Sequence, residues 1–523
     1  MPRKPKPKNT LSAGERVALF EAEREKKQAM LSGASAEEAS AAALAEPSEA
    51  YADNTRQVDA EKKQKVTREL PKPQCATVKV DFSLPVGEIR PIHGMCNGPV
   101  SYGADLTDAY REIGVPYVRF DCADTAVSAY AVDLSRIFRD SGADPSDAES
   151  YDFSYTDRYV EAAYRAGAEV IFRLGESVDF MGSGKRIAIP EDVDRLARVC
   201  INVIRHYNDG WANGFTLGIK RFELWSHDPA LSARECLREF ELYRSLTTAL
   251  SFYSEEIKVG GMCFDGQDAV IREFVRYCQK NHVRLDFLTL SCFDSHPQEL
   301  GQRLRHAVAL VRNCGFDETE LIVGRWCYTD SEVLGAIPLE RLLGGGGEKF
   351  AEGRRRLFEE QSSVKGAAFV GASLIEMLSI PELETACFFD AQPMLSPWCA
   401  ISDRFGRPQK PYYAFKAFGE LYRARKQVLC QCRWQEGFAH PGVYACAAVS
   451  EKGEGYVMIA SFGGCGVVDL RLDGIPDHVY SSDVYLLDGV KDLSHGDTVP
   501  ISGMKKRMLL NVSEYGVVVV KIY

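Results

Sequence analysis

The chain has 523 residues, 45% hydrophobic and 26% charged, a balance typical of a soluble globular protein long enough for two or three domains. The formal net charge of −11 disfavours a general nucleic-acid binder, because phosphate binding needs clustered Lys and Arg. The basic first residues precede no apolar segment, and no apolar run approaches the roughly 20 residues of a membrane span. We therefore expect neither a secretory signal nor a membrane anchor.

The 16 cysteines are scattered singly, often within apolar runs. One tight pair, Cys430 and Cys432, has a spacing that fits neither a zinc site nor a redox motif. Buried reduced thiols in a cytoplasmic protein are the expected state, with no disulfide, no bound metal and no cofactor.

Residues 1–75 differ in composition from the rest of the chain, being rich in Ala, Glu and Lys. Capping-box patterns at Ser12 and Ser35 each indicate the start of a short helix. Because these helices lack a broad apolar face, we expect a mobile, partly helical or disordered arm. The alternative is a segment that docks a partner protein.

From residue 87 to residue 425, apolar strand-like runs alternate with amphipathic helices such as 157–166, 190–207, 236–253 and 297–314. Eight such units predict a (β/α)8 TIM barrel. A doubly wound open sheet is the alternative, but no Gly-x-Gly-x-x-Gly follows the first strand. The candidate strands are 89–95, 117–121, 169–174, 221–225, 257–264, 287–293, 321–327 and 372–377.

Residues 426–523 contain short alternating strands separated by turn signals, which predict a C-terminal antiparallel β-sandwich. Residues 76–86 also alternate like a strand and precede the first barrel strand without a helix of their own, so we expect them to join that sandwich. The fold class is therefore α/β, a TIM barrel followed by a β-sandwich, with an N-terminal arm. The candidate sandwich strands are 442–449, 455–461, 467–472, 484–487, 508–512 and 517–522.

Several short motifs follow one another in a characteristic order between residues 88 and 425. They are Val115-Pro-Tyr-Val-Arg-Phe120 and the stretches 137–147, 151–157, 171–177, 206–215, 389–393 and 410–419. In order and spacing this region resembles glycoside hydrolase family 39, the group of β-xylosidases and α-L-iduronidases. The resemblance implies a barrel-plus-sandwich fold and hydrolysis of a glycosidic bond with retention.

The family resemblance implies two catalytic glutamates, a general acid/base in a Trp-Asn-Glu-Pro motif on the fourth strand and a nucleophile in a Glu-Trp motif on the seventh. Retaining hydrolysis needs both carboxyls about 5 Å apart. Here Trp225-Ser226-His227-Asp228 puts His227 at the acid/base position, and Gly324-Arg325-Trp326 puts Arg325 at the nucleophile position. A guanidinium stays protonated and only donates hydrogen bonds, so Arg325 cannot attack an anomeric carbon.

Two further positions depart from the family pattern. Asp121 stands at the second strand, where a histidine is common in the family, and the sixth strand ends in residues 290–293 without the usual aromatic-His-aromatic sequence. Shifting the alignment by one residue would put Asp228 in the acid/base position, but it would not restore the nucleophile.

Other candidates each have a structural alternative. Glu223 is expected in a polar layer inside the barrel. Arg173 and Glu176 form an ion pair or line the pocket, Glu376 on the predicted eighth strand is a pocket acid or a core carboxylate, and the tryptophans stack on sugars or cap the barrel. Arg325 and His227 form either a cationic pocket floor or a drifted site neutralised by Glu223 or Glu376. The substrate-binding candidates are Asp121, Arg173, Glu176, Trp225, Asp228, Trp326, Glu376, Asp390 and Gln392.

These residues favour a carbohydrate-related binding or accessory protein that lacks the retaining pair. The first alternative is an active glycosidase that uses other carboxylates, such as Glu176, Asp228 or Glu376, in an inverting or substrate-assisted mechanism. The second is a scaffold that docks a partner through the N-terminal arm. The expected ligand is a carbohydrate or another small anionic or hydroxylated molecule, and a homo-oligomer is compatible with the sequence.

Overall fold

A computed structural model describes fourteen stretches of the chain. They are residues 75–101, 104–121, 132–176, 190–225, 227, 231–265, 268–330, 348–392, 399–403, 405–434, 442–464, 466–475, 481–501 and 506–523. The predicted arm, apart from its last residue, and the candidate Asp228 lie outside these stretches.

Eight parallel strands close into a barrel in sequence order, as the alternating pattern predicts. Most of their residues are buried, because a closed parallel barrel is covered by helices on its outside and filled by side chains within. The barrel strands are β2 (His93–Cys96), β3 (Tyr117–Arg119), β4 (Glu169–Leu174), β5 (Arg221–Leu224), β6 (Lys258–Asp265), β7 (Phe287–Asp294), β8 (Glu320–Tyr328) and β9 (Leu383–Phe388).

Local sequence signals fix several helix ends. Ser232 and Glu235 form a reciprocal capping box, Pro297 occupies the first turn of its helix, and Gly114 ends another helix in the left-handed conformation. The described helices are α1 (Thr107–Ile113), α2 (Leu134–Ile137), α3 (Thr156–Arg165), α4 (Val193–Asn208), α5 (Ala233–Tyr253), α6 (Asp268–Asn281), α7 (Pro297–Asn313), α8 (Glu348–Ser362), α9 (Val364–Leu378) and α10 (Lys410–Ala424).

The predicted eighth strand at 372–377 is wrong, because those residues lie in helix α9 and the eighth barrel strand is β9. Helix α9 is buried along most of its length between the barrel and the C-terminal sheet. A helix covered on nearly all sides has no polar face, so its apolar run cannot be distinguished by periodicity from a buried strand. Glu376 is consequently on a helix outside the barrel.

The C-terminal region forms a nine-stranded sheet in the order β15-β14-β17-β12-β11-β10-β1-β13-β16. Strand β1 (Cys75–Glu88) pairs antiparallel with β10 and parallel with β13. Strands β10 and β15 were not among the candidate strands, since β10 buries only Val428 and β15 exposes most of its residues. The other strands are β10 (Lys426–Trp434), β11 (Val443–Val449), β12 (Gly455–Phe462), β13 (Val467–Asp473), β14 (Ser481–Leu487), β15 (Asp492–Pro500), β16 (Arg507–Asn511) and β17 (Tyr515–Ile522).

Alternate residues along a strand point to opposite faces of the sheet. The two faces pack into two different hydrophobic cores. Val457 and Ile459 of β12 join an apolar cluster formed within the sheet, together with residues of β1, β13 and β14. Met458 and Ala460 of the same strand join the barrel's core. The second face packs on α9, where a Cβ at Gly371 would lie 3.0 Å from Val517 Cγ2 and 3.2 Å from Ala460 Cβ.

Every cysteine whose side chain the structure describes is a free thiol. The described helices include none long and apolar enough to cross a bilayer. Within the same residues, no group of three or more His, Cys, Asp or Glu side chains is placed to hold a metal ion.

The contact between α10 and α1 gives a stability prediction. A Cβ at Gly419 would lie 1.9 Å from the carbonyl oxygen of Ile113. Gly419→Ala should therefore lower the free energy of unfolding by about 1–3 kcal/mol, an overpacking cost, although Gly→Ala in an open helix stabilises by up to about 1 kcal/mol. Thermal unfolding measures the change, with Glu241→Ala on the exposed face of α5 as control. A raised melting temperature for Gly419→Ala would contradict this packing.

Candidate active site

A buried ion pair joins the second and fourth barrel strands. Arg119 on β3 donates from Nε to Glu223 Oε2 at 2.6 Å and from Nη2 to Glu223 Oε1 at 2.9 Å. Thr289 on β7 donates a further hydrogen bond to Glu223 Oε1 at 2.9 Å. All three side chains are fully buried, so Glu223 is held by its neighbours in a polar layer inside the barrel.

A bulge in the seventh barrel strand directs Arg325 inward. The pairing of β7 with β8 passes from Leu290↔Val323 to Ser291↔Arg325, which leaves Gly324 as the extra residue. A Cβ at position 324 would lie 2.9 Å from Cys263 Sγ and 3.0 Å from Arg119 Nε, so a larger residue there would push against Arg119. Gly324 thus lets the strand pass close to Arg119 while Arg325 turns toward the second strand.

Arg325 is paired with Asp121. The distance from Arg325 Nε to Asp121 Oδ2 is 2.9 Å, and the two side chains are 3% and 2% exposed. The same carboxylate lies 3.4 Å from Arg119 Nη1 and 3.9 Å from Arg173 Nη1. Burial alone would raise the pKa of Asp121, but the positive charges of Arg325, Arg119 and Arg173 lower it to about 2.

Arg173 extends the network toward the third strand's loop. Its Nη2 donates to Asp133 Oδ1 at 2.6 Å and to the backbone carbonyl of Asp121 at 2.7 Å. Arg173 also donates to the backbone carbonyl of Glu176, whereas the Glu176 carboxylate accepts hydrogen bonds from the backbone and hydroxyl of Ser135 at 2.8 and 2.6 Å. Arg173 thus contacts the backbone of Glu176, and it approaches the carboxylates of Asp133 and Asp121.

These residues form a charge-balanced cluster of three guanidinium groups and three carboxylates. Asp121, rather than Glu223 or Glu376, lies against Arg325, which corrects the expectation about its neighbours. Glu223 belongs to Arg119, and Glu376 pairs with Arg305 outside the barrel at 2.8 Å. The positive charge of Arg325 is thus balanced locally, and an anionic ligand would have to compete with Asp121.

His227 lies at the end of the fourth strand and forms a second buried pair. Its Nδ1 is 2.7 Å from Glu239 Oε2 on α5, and both side chains are 1% exposed. A carboxylate oxygen ordinarily accepts, which makes Nδ1 the donor of this contact. The other ring nitrogen, Nε2, has no hydrogen-bond partner in the part of the chain that the structure describes. The ring packs 5.2 Å from Phe264.

Neither candidate tryptophan is exposed to a pocket. Trp326 is fully buried and packs its ring against Phe388 of β9 and Phe369 of α9, on the outer side of the barrel wall. Trp225 is 1% exposed and its φ of 63° is left-handed, a strained conformation for a bulky residue. Trp326 therefore belongs to the helix-covered core and is wrong as a sugar-stacking residue.

Asp390 and Gln392 lie after the eighth strand and are linked to Asp121 through Asn97. Asn97 Oδ1 accepts from the backbone N–H of Asp121 at 2.9 Å, and its Nδ2 donates to Asp390 Oδ1 at 3.2 Å. Gln392 donates its backbone N–H to the same Asp390 oxygen at 3.0 Å. All four residues are 2% exposed or less. Their hydrogen bonds therefore hold the loop after the eighth strand in place.

Sequence reasoning missed three residues that hold this site, Asn97, Asp133 and Glu239. Asn97 follows the first barrel strand directly, a position where polar residues reach the barrel mouth, and this signal was available. Glu239 lies on the buried side of α5, and nothing in its helical neighbourhood distinguishes it from a solvent-facing glutamate.

Comparison with known proteins now identifies the fold's relatives. The family model for glycosyl hydrolases family 39 matches residues 86–302. A β-xylosidase from Geobacillus stearothermophilus is 20% identical over 307 residues, which is 49% of this chain and 59% of that enzyme. The match thus spans less than two thirds of the relative's length. This chain is a glycoside hydrolase family 39-like protein.

Solved structures share the architecture of this family 39-like protein. A glucosidase from Croceicoccus marinus has a TM-score of 0.67 at 21% identity, covering 86% of this chain and 99% of that one. A GH39 enzyme from Xanthomonas axonopodis pv. citri has a TM-score of 0.62 at 14% identity, covering 87% and 99%. A GH39 β-xylosidase from Caulobacter crescentus has a TM-score of 0.60 at 14% identity, covering 85% and 99%. At these identities the likeness concerns the fold.

The family 39-like protein should depend on its buried charge pairs for stability. Glu223→Gln removes the partner of a fully buried guanidinium, which is expected to lower the free energy of unfolding by about 3–5 kcal/mol. Urea denaturation measures this change. The matched control is Glu352→Gln, which breaks an exposed pair with Arg355 and should cost no more than about 1 kcal/mol. Equal costs for the two variants would refute the role of the buried pair.

The lowered pKa of Asp121 predicts an acid-dependent contribution. Because the pKa is about 2 in the folded protein and 3.8 ordinarily, the contribution is complete above about pH 4 and is lost as the pH falls through 2. The destabilisation caused by Asp121→Asn should therefore be large at pH 6 and shrink as the pH approaches 2. Chemical denaturation of both proteins at several pH values tests this. A difference that stays constant over the range would contradict the pairing with Arg325.

Proposed function

We propose that this chain is a non-catalytic, carbohydrate-related homologue of the family 39 glycosidases. The observation that carries the proposal is the side chain at position 325. An arginine paired with Asp121 replaces the carboxylate that a retaining mechanism needs as its nucleophile. The relationship to the glycosidases supports a sugar or another hydroxylated molecule as the ligand.

The neighbouring carboxylates are poorly placed to take over as the nucleophile. Glu223, Asp121 and Asp133 each lie within 2.9 Å of a guanidinium nitrogen and are buried. Attack on an anomeric carbon would require one of them to leave that partner, stranding a buried positive charge, a loss of several kcal/mol. A charge-paired barrel mouth therefore supports binding in preference to covalent catalysis.

A second candidate function is hydrolysis with inversion, and the pair His227–Glu239 is the observation that favours it. A histidine held by a carboxylate through Nδ1 can transfer a proton from Nε2. Inversion would also need a carboxylate about 6.5–9.5 Å from the acid to activate water. Glu376 cannot serve, since it lies on α9. Glu176 is the described candidate left from the original set.

We further infer a reducing compartment, in keeping with a cytoplasmic protein. The described cysteines include Cys200, Cys278 and Cys446, all free and buried among apolar side chains. Burial raises the pKa of the Cys200 thiol to about 12, which keeps it protonated and unreactive.

Hydrolysis assays distinguish the two candidates. With aryl β-xylosides and aryl β-glucosides, the wild-type protein should release the aryl alcohol no faster than buffer does, because no nucleophile is in place. His227→Gln should leave that rate unchanged. Turnover that His227→Gln abolishes, while His206→Gln on α4 retains it, would overturn the non-catalytic proposal and favour inversion through His227. His206 is a suitable control because it is buried against Asp157, away from the barrel strands.

A further inference from the structure

The segment that follows the fourth barrel strand has its backbone held on both sides. The Trp225 N–H donates to the carbonyl oxygen of Leu174 on β4 at 3.0 Å, and the His227 N–H donates to the carbonyl oxygen of Met262 on β6 at 2.7 Å. Active sites of this fold are built at the carboxyl ends of the strands. His227 is therefore anchored at the end of the barrel where a ligand would bind.

The ring of His227 is held in one orientation. Its Nδ1 lies 2.7 Å from Glu239 Oε2, and its centroid lies 5.2 Å from the ring centroid of Phe264. The side chains of His227 and Glu239 are each 1% exposed, and the low local dielectric strengthens their hydrogen bond. A ring that is fixed through one nitrogen and by an aromatic neighbour has a defined direction for its other nitrogen.

That other nitrogen, Nε2, is directed away from helix α5. The two nitrogens of an imidazole are separated by a carbon atom and point to different sides of the ring. A ring that turns Nδ1 toward Glu239 on α5 therefore turns Nε2 away from this helix. Helices form the outer layer of a (β/α)8 barrel, and α5 exposes Arg238 and Glu241 to solvent. Nε2 thus points away from the outer layer, on the side of the barrel mouth.

Glu239 determines what Nε2 offers to a ligand. A carboxylate oxygen ordinarily accepts, so the contact with Glu239 places a proton on Nδ1. In a neutral imidazole that is protonated on Nδ1, Nε2 carries a lone pair and accepts hydrogen bonds. The part of the chain that the structure describes supplies no donor to Nε2. A hydroxyl group of a ligand is a donor that matches this acceptor.

We propose that Glu239 is a positioning residue that holds neutral His227 in the Nδ1–H tautomer, so that Nε2 accepts a hydrogen bond from a hydroxyl group of the bound ligand. This role deepens the proposed function and rests on it, because it assigns a contact to the hydroxylated ligand of the barrel mouth. It requires no proton transfer. A carboxylate-bearing ligand gains nothing at this nitrogen, since neither partner then has a proton to donate.

NMR of the full-length protein, prepared with isotope-labelled histidine, measures the tautomer directly. The signals of His227 are identified as those that His227→Phe lacks. In the wild type, Nδ1 should be protonated and Nε2 should not. Glu239→Leu removes the acceptor and should produce a signal from protonated Nε2, whereas Glu239→Gln, whose amide oxygen still accepts, should keep the wild-type pattern. A proton on wild-type Nε2, or a pattern that Glu239→Leu leaves unchanged, overturns the role of Glu239.

Isothermal titration with methyl β-xyloside and methyl β-glucoside tests the ligand contact. The wild type should bind at least one of them, and His227→Phe and Glu239→Leu should each weaken that binding by about threefold to tenfold, the loss of one hydrogen bond. Glu241→Leu, the same substitution on the exposed face of α5, should leave the affinity unchanged. Circular dichroism of each variant establishes that the fold is retained.

The two measurements separate this contact from the proposed function. Equal affinities of the wild type and His227→Phe overturn the contact at Nε2 and leave the proposed function standing. Absence of binding of both sugars to the wild type counts against the proposed function itself, and the tautomer of His227 then decides the role of Glu239.

Discussion

The pairing of Arg325 with Asp121 is the contact around which the charged cluster inside the barrel is arranged. A guanidinium in the seventh strand cannot be left alone in a closed interior, since an unpaired buried charge costs several kcal/mol. Asp121 supplies the opposite charge, and Arg119 and Arg173 hold Asp121 from two further directions. Position 325, where the family resemblance implies a nucleophile, is part of this ion network.

The two departures from the family pattern make physical sense together. The resemblance implies a histidine near position 121 and a glutamate at position 325, and here an aspartate and an arginine lie in contact instead. In this chain the carboxylate follows the second strand and the guanidinium lies on the seventh. An arginine at 325 without an aspartate at 121 would leave the cluster with excess positive charge, so the residues are interdependent.

The barrel was predictable from the sequence because short apolar runs, typical of buried strands, alternate along the chain with amphipathic helical stretches. The failures have specific physical causes. Helix α9 is covered on nearly every side, so its residues 372–377 resembled a buried strand and misplaced Glu376. Strand β15 is largely exposed and lacks an apolar alternation, so it gave no signal.

The candidate site was predictable as a location but less so as a set of contacts. Motif positions brought His227 and Arg325 to the correct strands. Their partners depended on long-range geometry, above all on the bulge at Gly324 that directs Arg325 toward Asp121. Glu239 reaches His227 from a helix, 12 residues along the chain, and no local pattern identifies it.

Mass spectrometry of the intact protein tests the central claim, the absence of a retaining nucleophile. A retaining glycosidase forms a covalent glycosyl-enzyme, which an activated 2-deoxy-2-fluoro-β-xyloside or β-glucoside traps. Because the side chain at position 325 is a protonated guanidinium, the mass of this protein should be unchanged after prolonged incubation. A mass increase of one fluoroglycosyl group, located by peptide mapping on a carboxylate at the barrel mouth such as Asp121 or Glu223, would contradict the account.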